Sequence, residues 1–145
     1  MTLGLKPLLR RLLEIALGGI FFYAGYLKLG QPYEFAEAVM AYQLLPVFLV
    51  GVAAAVLPWL EAAAGLFLAV GLKRRSCLIL LGLMSWSFLL VMLITMLRGL
   101  KIDCGCGLFS GREVGLVPIL EDSLIFLWAV GLYYWELQVT ADERR

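Results

Sequence analysis

The sequence predicts an all-α protein: a four-transmembrane-helix bundle with a short amphipathic interfacial helix between helices one and two. Three observations carry this. Apolar residues make up 63% of the 145-residue chain and charged residues 16%, against roughly 45–50% and about 25% in soluble domains. The apolar residues gather in four runs, about 12–29, 47–72, 77–97 and 117–137, each near the ~20 residues that cross a bilayer as helix. Most of the charges fall outside the runs. A soluble domain of this length could not hide so much apolar surface, so lipid is the expected solvent. No second domain, repeat or low-complexity tract interrupts 1–145, which is expected to form a single membrane domain.

The first run follows Lys6, Arg10 and Arg11. A charged start before an apolar run also describes a signal peptide. This run is about as long as a span needs, and no small-x-small site closes it, so it is expected to be retained. Gly30 is its expected C-cap. From Gln31 to Pro46 the chain is too polar to span. Pro32 can open a short helix, with Phe35, Val39 and Tyr42 on one face and Glu34, Glu37 and Ala41 turned away, a pattern suited to the membrane surface. A plain loop is the alternative. The second span is rich in small residues: Gly51 with Ala55, and Gly65 with Ala69, allow close helix approach. Pro58 is expected to kink it. After the basic turn Lys73-Arg74-Arg75 comes the third span, then a polar break from Arg98 to Gly115. Pro118 starts the fourth, with Glu121 and Asp122 in its first turns, where acids suit the helix dipole. Tyr133, Tyr134 and Trp135 mark its far interface.

Lys and Arg counts set the expected orientation. One side holds Lys6, Arg10, Arg11, Lys73, Arg74, Arg75, Arg144 and Arg145. The other holds Lys28, Arg98, Lys101 and Arg112. Both termini are therefore expected in the cytoplasm of a bacterial inner-membrane protein, with the polar break after the third span extracytoplasmic.

That break carries the chemistry. Residues 103–109 read Asp-Cys-Gly-Cys-Gly-Leu-Phe, with two of only three cysteines. Two residues of extended chain reach at most about 7 Å, the outer limit for bridging Cα atoms. A Cys104–Cys106 disulfide is therefore possible but strained, and a strained bridge exchanges readily. Gly105 and Gly107 remove bulk that would block a partner's sulfur. Lys101 favours a thiolate, and Asp103 opposes it. The alternatives are a reduced, unreactive pair in a glycine-rich turn, or a copper(I) site, although no Met or His neighbours it in the loop. Three cysteines make no disulfide framework, and Cys77 reads as a small buried apolar residue. Histidine is absent, which removes the commonest metal ligand and general base. The net charge of +1 gives no nucleic-acid footprint.

Glu61 is the second candidate. It lies fourteen residues into the second span, about 20 Å at 1.5 Å per residue, where a carboxylate is costly and suggests function. Ser85, Ser87 or a tyrosine could bond it, and a proton relay, a contact to a quinone ring and a packing bond are its three readings. Lys28, at the outer end of the first span, is expected either to snorkel to the interface or to pair with Glu121 or Asp122. Glu14 is expected to be interfacial.

Four stretches, in the order Ala24-Gly25-Tyr26-Leu27-Lys28-Leu29, Tyr42-Gln43-Leu44-Leu45-Pro46, Leu57-Pro58-Trp59-Leu60-Glu61 and Asp103-Cys104-Gly105-Cys106-Gly107, resemble the MauE/DoxX-like family of redox-associated membrane proteins. The resemblance covers nearly the whole chain and implies four membrane helices. One branch is linked to maturation of the disulfide-rich methylamine dehydrogenase beside a thioredoxin-like protein. The other includes a subunit of a thiosulfate:quinone oxidoreductase. The resemblance places the cysteine loop, Lys28 and Glu61 in a shared pattern without fixing their roles. Relatives often have Cys-Gly-Cys-Phe-Gly where this chain has Cys-Gly-Cys-Gly-Leu-Phe.

The expected function is thiol–disulfide exchange through Cys104 and Cys106 between the membrane and an extracytoplasmic thioredoxin-like partner or redox enzyme. A direct quinone step is a weaker expectation, since four-helix disulfide generators that reduce quinone use a second cysteine pair absent here. The rival is a non-catalytic assembly subunit of a redox complex. A small transporter coupled through Glu61 is the third reading.

Overall fold

The computed structural model describes residues 4–105 and 113–142, and these are mainly helical. The helices are α1 (Leu5–Gly30), α2 (Pro32–Ala41), α3 (Val47–Val70), α4 (Arg74–Leu97) and α5 (Leu116–Asp142). All but α2 are long and apolar enough to cross a membrane. The helices overrun the apolar runs. Helix α1 begins at Leu5 rather than near Leu12, and α5 continues past Leu137 to Asp142. The extra turns carry Arg10, Arg11 and Thr140, whose side chains are bonded at that end of the bundle.

The four long helices form a closed ring. Helix α1 packs on α3 and α5, and α4 packs on α3 and α5. The α1–α3 seam is the tightest because it is built from glycine. A Cβ on Gly18 would stand 2.5 Å from the Gly65 carbonyl oxygen, and one on Gly65 would stand 2.6 Å from the Gly18 oxygen. One on Gly25 would meet Pro58 O and Ala62 N at 2.7 Å. These approaches bring backbone to backbone, as small-residue faces do in lipid. The expected Gly65–Ala69 face is used in this way. Gly51 faces nothing within 4 Å, so the Gly51–Ala55 pair does not build the seam. Leu17, Phe21, Ala64, Leu68, Cys77, Leu78, Leu81, Ala129 and Leu132 form the core across all four helices. Cys77 is buried there, as expected.

Register follows from the seam. With Gly25 opposite Pro58 and Ala62, the end of α1 at Gly30 falls opposite about residue 55 of α3. The first turns of α3 therefore project about 12 Å beyond α1. Helix α2 packs on α3, with Pro32 in its first turn and Phe35 and Tyr42 buried. The segment is thus a helix and not a plain loop, and it covers the end of α1.

At the opposite end, α3 stops at Gly71, whose left-handed backbone (φ 92°) closes a Schellman turn with Gly71 N–H to Leu68 O and Leu72 N–H to Phe67 O. Arg11 also donates there, to Leu68 O at 3.1 Å and to Ala69 O at 2.5 Å. Glu14 is not interfacial: it is fully buried. Arg10, Arg11 and Arg74 approach its carboxylate at 3.4, 3.2 and 3.4 Å, and Arg10 also pairs with Glu136 at 2.9 Å. Arg75 bonds Thr140. This cluster keeps charged turns helical at the ends of α1, α4 and α5.

Candidate functional site

The site lies at the other end of the bundle. Its centre is an ion pair that sequence spacing did not predict. Lys28 Nζ bonds both oxygens of Glu61, at 2.9 and 2.7 Å. Lys28 is 6% exposed and Glu61 2%, so Lys28 neither snorkels nor takes Glu121 or Asp122 as its hydrogen-bonded partner. Its ammonium also stands 5.1 Å from the Phe35 ring and 4.9 Å from the Phe88 ring, within cation–π range of both. The α1–α3 register aligns the pair, since Lys28 lies one turn beyond Gly25 and Glu61 adjoins Ala62. Neither Ser85 nor Ser87 bonds Glu61. Ser87 bonds back to Leu83 O.

The pair opens onto a cavity of about 70 Å³. Cys104 lines it from the loop, Ser85, Phe88 and Met92 from α4, and Pro118, Glu121 and Asp122 from α5. The structure thus brings three of the expected site residues, Lys28, Glu61 and Cys104, to one cavity. It also adds Ser85 and Asp122.

The cysteine loop is tied down at its base. An antiparallel bridge joins Asp103 to Glu113, and Val114 N–H bonds Ile102 O at 2.7 Å. The Asp103 carboxylate accepts the Gly105 N–H at 3.3 Å, a local turn typical of aspartate. Gly105 is left-handed (φ 63°), and a Cβ there would meet the Ala38 Cβ of α2 at 2.9 Å. Glycine therefore lets the loop lie against α2. Tyr42, just past α2, holds the same loop: its hydroxyl donates to Cys104 O at 2.5 Å, and its own carbonyl accepts from Arg98 at 3.1 Å. Cys104 is 3% exposed. Asp103 and Gly105 line an open groove of about 380 Å³ outside the bundle, shared with Lys28, Glu34 and Glu37. Cys106 lies outside the described residues.

Tyr42 was legible as an apolar-face residue and as part of the Tyr42–Pro46 stretch; nothing in the sequence paired its hydroxyl with the cysteine loop. Tyr42→Phe removes one buried hydrogen bond to the loop, which is expected to cost about 1 kcal/mol. In a Cys106→Ser background, alkylation of Cys104 by a small maleimide should quicken about fivefold, the equivalent of that energy at 1.4 kcal/mol per tenfold. An unchanged rate would mean that the bond does not hold the loop.

Four membrane-length helices around a buried ion pair define a multi-pass membrane protein with a polar site inside the bundle. The chain belongs to the family described as methylamine utilisation protein MauE, whose family model matches residues 6–135. That span takes in all five helices except Leu5 of α1 and the last turns of α5, together with the whole cysteine loop. No curated protein and no solved structure matches the chain.

Proposed function

We propose that this protein exchanges thiol for disulfide with an extracytoplasmic thioredoxin-like protein or redox enzyme, through Cys104 and Cys106, and so supports the maturation of an enzyme of methylamine utilisation. The family description supplies the metabolic setting. The observation that carries the chemistry is the placement of Cys104: its loop is fixed by Tyr42 and the Asp103–Glu113 bridge, and it lines a cavity with a buried charge pair inside an apolar bundle. An unreactive glycine-rich turn has no need of that setting. The positive-inside count supports cytoplasmic termini and an extracytoplasmic loop, the side where disulfides persist.

The burial of Cys104 supports an order for the cysteines. A sulfur on a residue 3% exposed is poorly reached by another protein. Cys106 therefore meets the partner's disulfide, and Cys104 resolves the mixed disulfide so formed. Lys28 and Glu61 neutralise each other and give the cavity a fixed polar wall.

The test is trapping. Cys104→Ser should accumulate a mixed disulfide with the partner through Cys106, and Cys106→Ser should accumulate none, both proteins reaching wild-type levels in the membrane. If both variants oxidise or reduce the partner at the wild-type rate, exchange is wrong and the protein is an assembly subunit.

A further inference from the structure

Resolution by Cys104 needs a proton acceptor. A thiol must lose its proton before its sulfur attacks, and the chain has no histidine to take it. The cavity that Cys104 lines is the place to look for one. Its ionisable side chains are Lys28 from α1, Glu61 from α3, and Glu121 and Asp122 from α5, while α4 contributes uncharged Ser85, Phe88 and Met92. Glu61 is committed to Lys28 through both oxygens. Asp122 is different: its Oδ2 is buried without a hydrogen-bond partner among the described residues.

Ser85 supports the same reading independently. In Ser87, Thr95, Ser123 and Thr140 the hydroxyl bonds back to the carbonyl four residues earlier, the usual outlet for such a group in a helix. Ser85 makes no such bond. It is 1% exposed, its Oγ has no partner among the described residues, and it lines the cavity. Buried polar atoms are rarely left so. Two of them around about 70 Å³ mark a place for polar occupants, with room for about two water molecules at roughly 30 Å³ each.

We propose that Asp122 takes the proton of the Cys104 thiol across this cavity and returns it in the reverse reaction. Ser85 and water carry the proton between them. The inference rests on the exchange reading. In the oxidising direction, the Cys104 S–H proton passes to the Asp122 carboxylate. The Cys104 thiolate then attacks the Cys106 sulfur of the mixed disulfide. A Cys104–Cys106 bond forms, and the bond from Cys106 to the partner breaks. The partner's sulfur leaves with the electron pair as a thiolate and is protonated from water. The partner's disulfide has gained two electrons and this dithiol has lost two. The Asp122 proton then passes to solvent through the water of the cavity, so the protons balance.

The test uses the reduced full-length protein in detergent and dipyridyl disulfide as a partner mimic. Two equivalents of thiopyridone should be released in two phases, and the second should be the phase missing from Cys104→Ser. Asp122→Asn is expected to slow only that second phase, by about 100-fold, the lower end of what a positioned base supplies. The residual rate should then climb in proportion to hydroxide. Asp122→Glu, which keeps a carboxyl, should recover most of the loss. A purely structural aspartate would move both phases or neither. Wild-type kinetics and pH profile for the second phase in Asp122→Asn would overturn the inference and leave exchange standing. If Asp122→Asn does not accumulate, Ser85→Ala decides: an unchanged second phase overturns the inference, and a slowed one with an intact first phase supports it. A wild-type protein that releases no thiopyridone overturns the exchange reading itself.

Discussion

Replacing Glu61 with leucine is expected to destabilise the protein by about 3–5 kcal/mol, the cost of leaving one member of a buried pair without its partner. Lys28 would keep its charge 6% exposed, beside the Phe35 and Phe88 rings and with Asp122 across the cavity in place of a directly bonded carboxylate. Cation–π attraction to two rings, about 2 kcal/mol each at best when desolvated, does not replace two hydrogen bonds to a carboxylate. Lys28→Met with Glu61→Leu removes both charges and should return stability to within about 1 kcal/mol of the wild type, because desolvating the pair consumes most of what its attraction supplies. Equilibrium unfolding in SDS from mild detergent measures both. If the two substitutions prove additive, the groups do not interact as the 2.7 Å contact requires. A stable double variant that has lost exchange activity would separate the pair's functional role from its packing role.

Gly65→Val should be nearly as damaging, for a different reason. A Cβ at Gly65 falls 2.6 Å from both Gly18 O and Phe22 N, and backbone atoms cannot swing aside as side chains do. The helices must separate, and the cost should exceed the about 1–3 kcal/mol of ordinary overpacking. Separation would also slide Lys28 from Glu61, so stability and the site should fail together. Gly51→Ala and Gly82→Ala are the controls. Nothing stands within 4 Å of a Cβ at either, and alanine should be neutral or favourable by up to about 1 kcal/mol. Accumulation in membranes together with SDS unfolding distinguishes the cases. A tolerated Gly65→Val would place the tight seam elsewhere.

The spans were legible because lipid asks a simple thing of a sequence, an apolar run of the right length, and 47–72 and 77–97 answer it directly. Their ends were less so. Lys6, Arg10 and Arg11 read as a flank, yet they lie inside α1, because Glu14 and the last carbonyls of α3 take up the two arginines. Neighbouring sequence hinted at this through Arg10 and Arg11 set four and three residues before Glu14. Arg74, sixty residues on, could not be guessed. The same limit applies at the site. Glu61 and Lys28 were each singled out as anomalous charges, but their pairing depends on the interhelical register fixed by Gly18, Gly25 and Gly65. Half of that seam, Gly65 with Ala69, was visible as a small-residue face; its other half, Gly18 and Gly25 in α1, is spaced by seven and forms no such pair. Asp122 looked like an acid placed for a helix dipole. Its facing toward Cys104's cavity is a property of how α5 closes the ring, and the apolar pattern of α5 contains no sharp face to reveal it. The cysteine loop stood out from composition alone, since no other stretch combines two thiols with glycine.

Thiol–disulfide exchange requires that loop to be an extracytoplasmic redox pair. The most direct measurement is labelling of native membranes with an impermeant thiol reagent, before and after reduction, with adducts on Cys104 and Cys106 counted by mass. The expected result is no adduct before reduction and labelling of the loop from the extracytoplasmic side after it. Labelling without reduction in membranes kept under oxidising conditions, or labelling only from the cytoplasmic side, would contradict it.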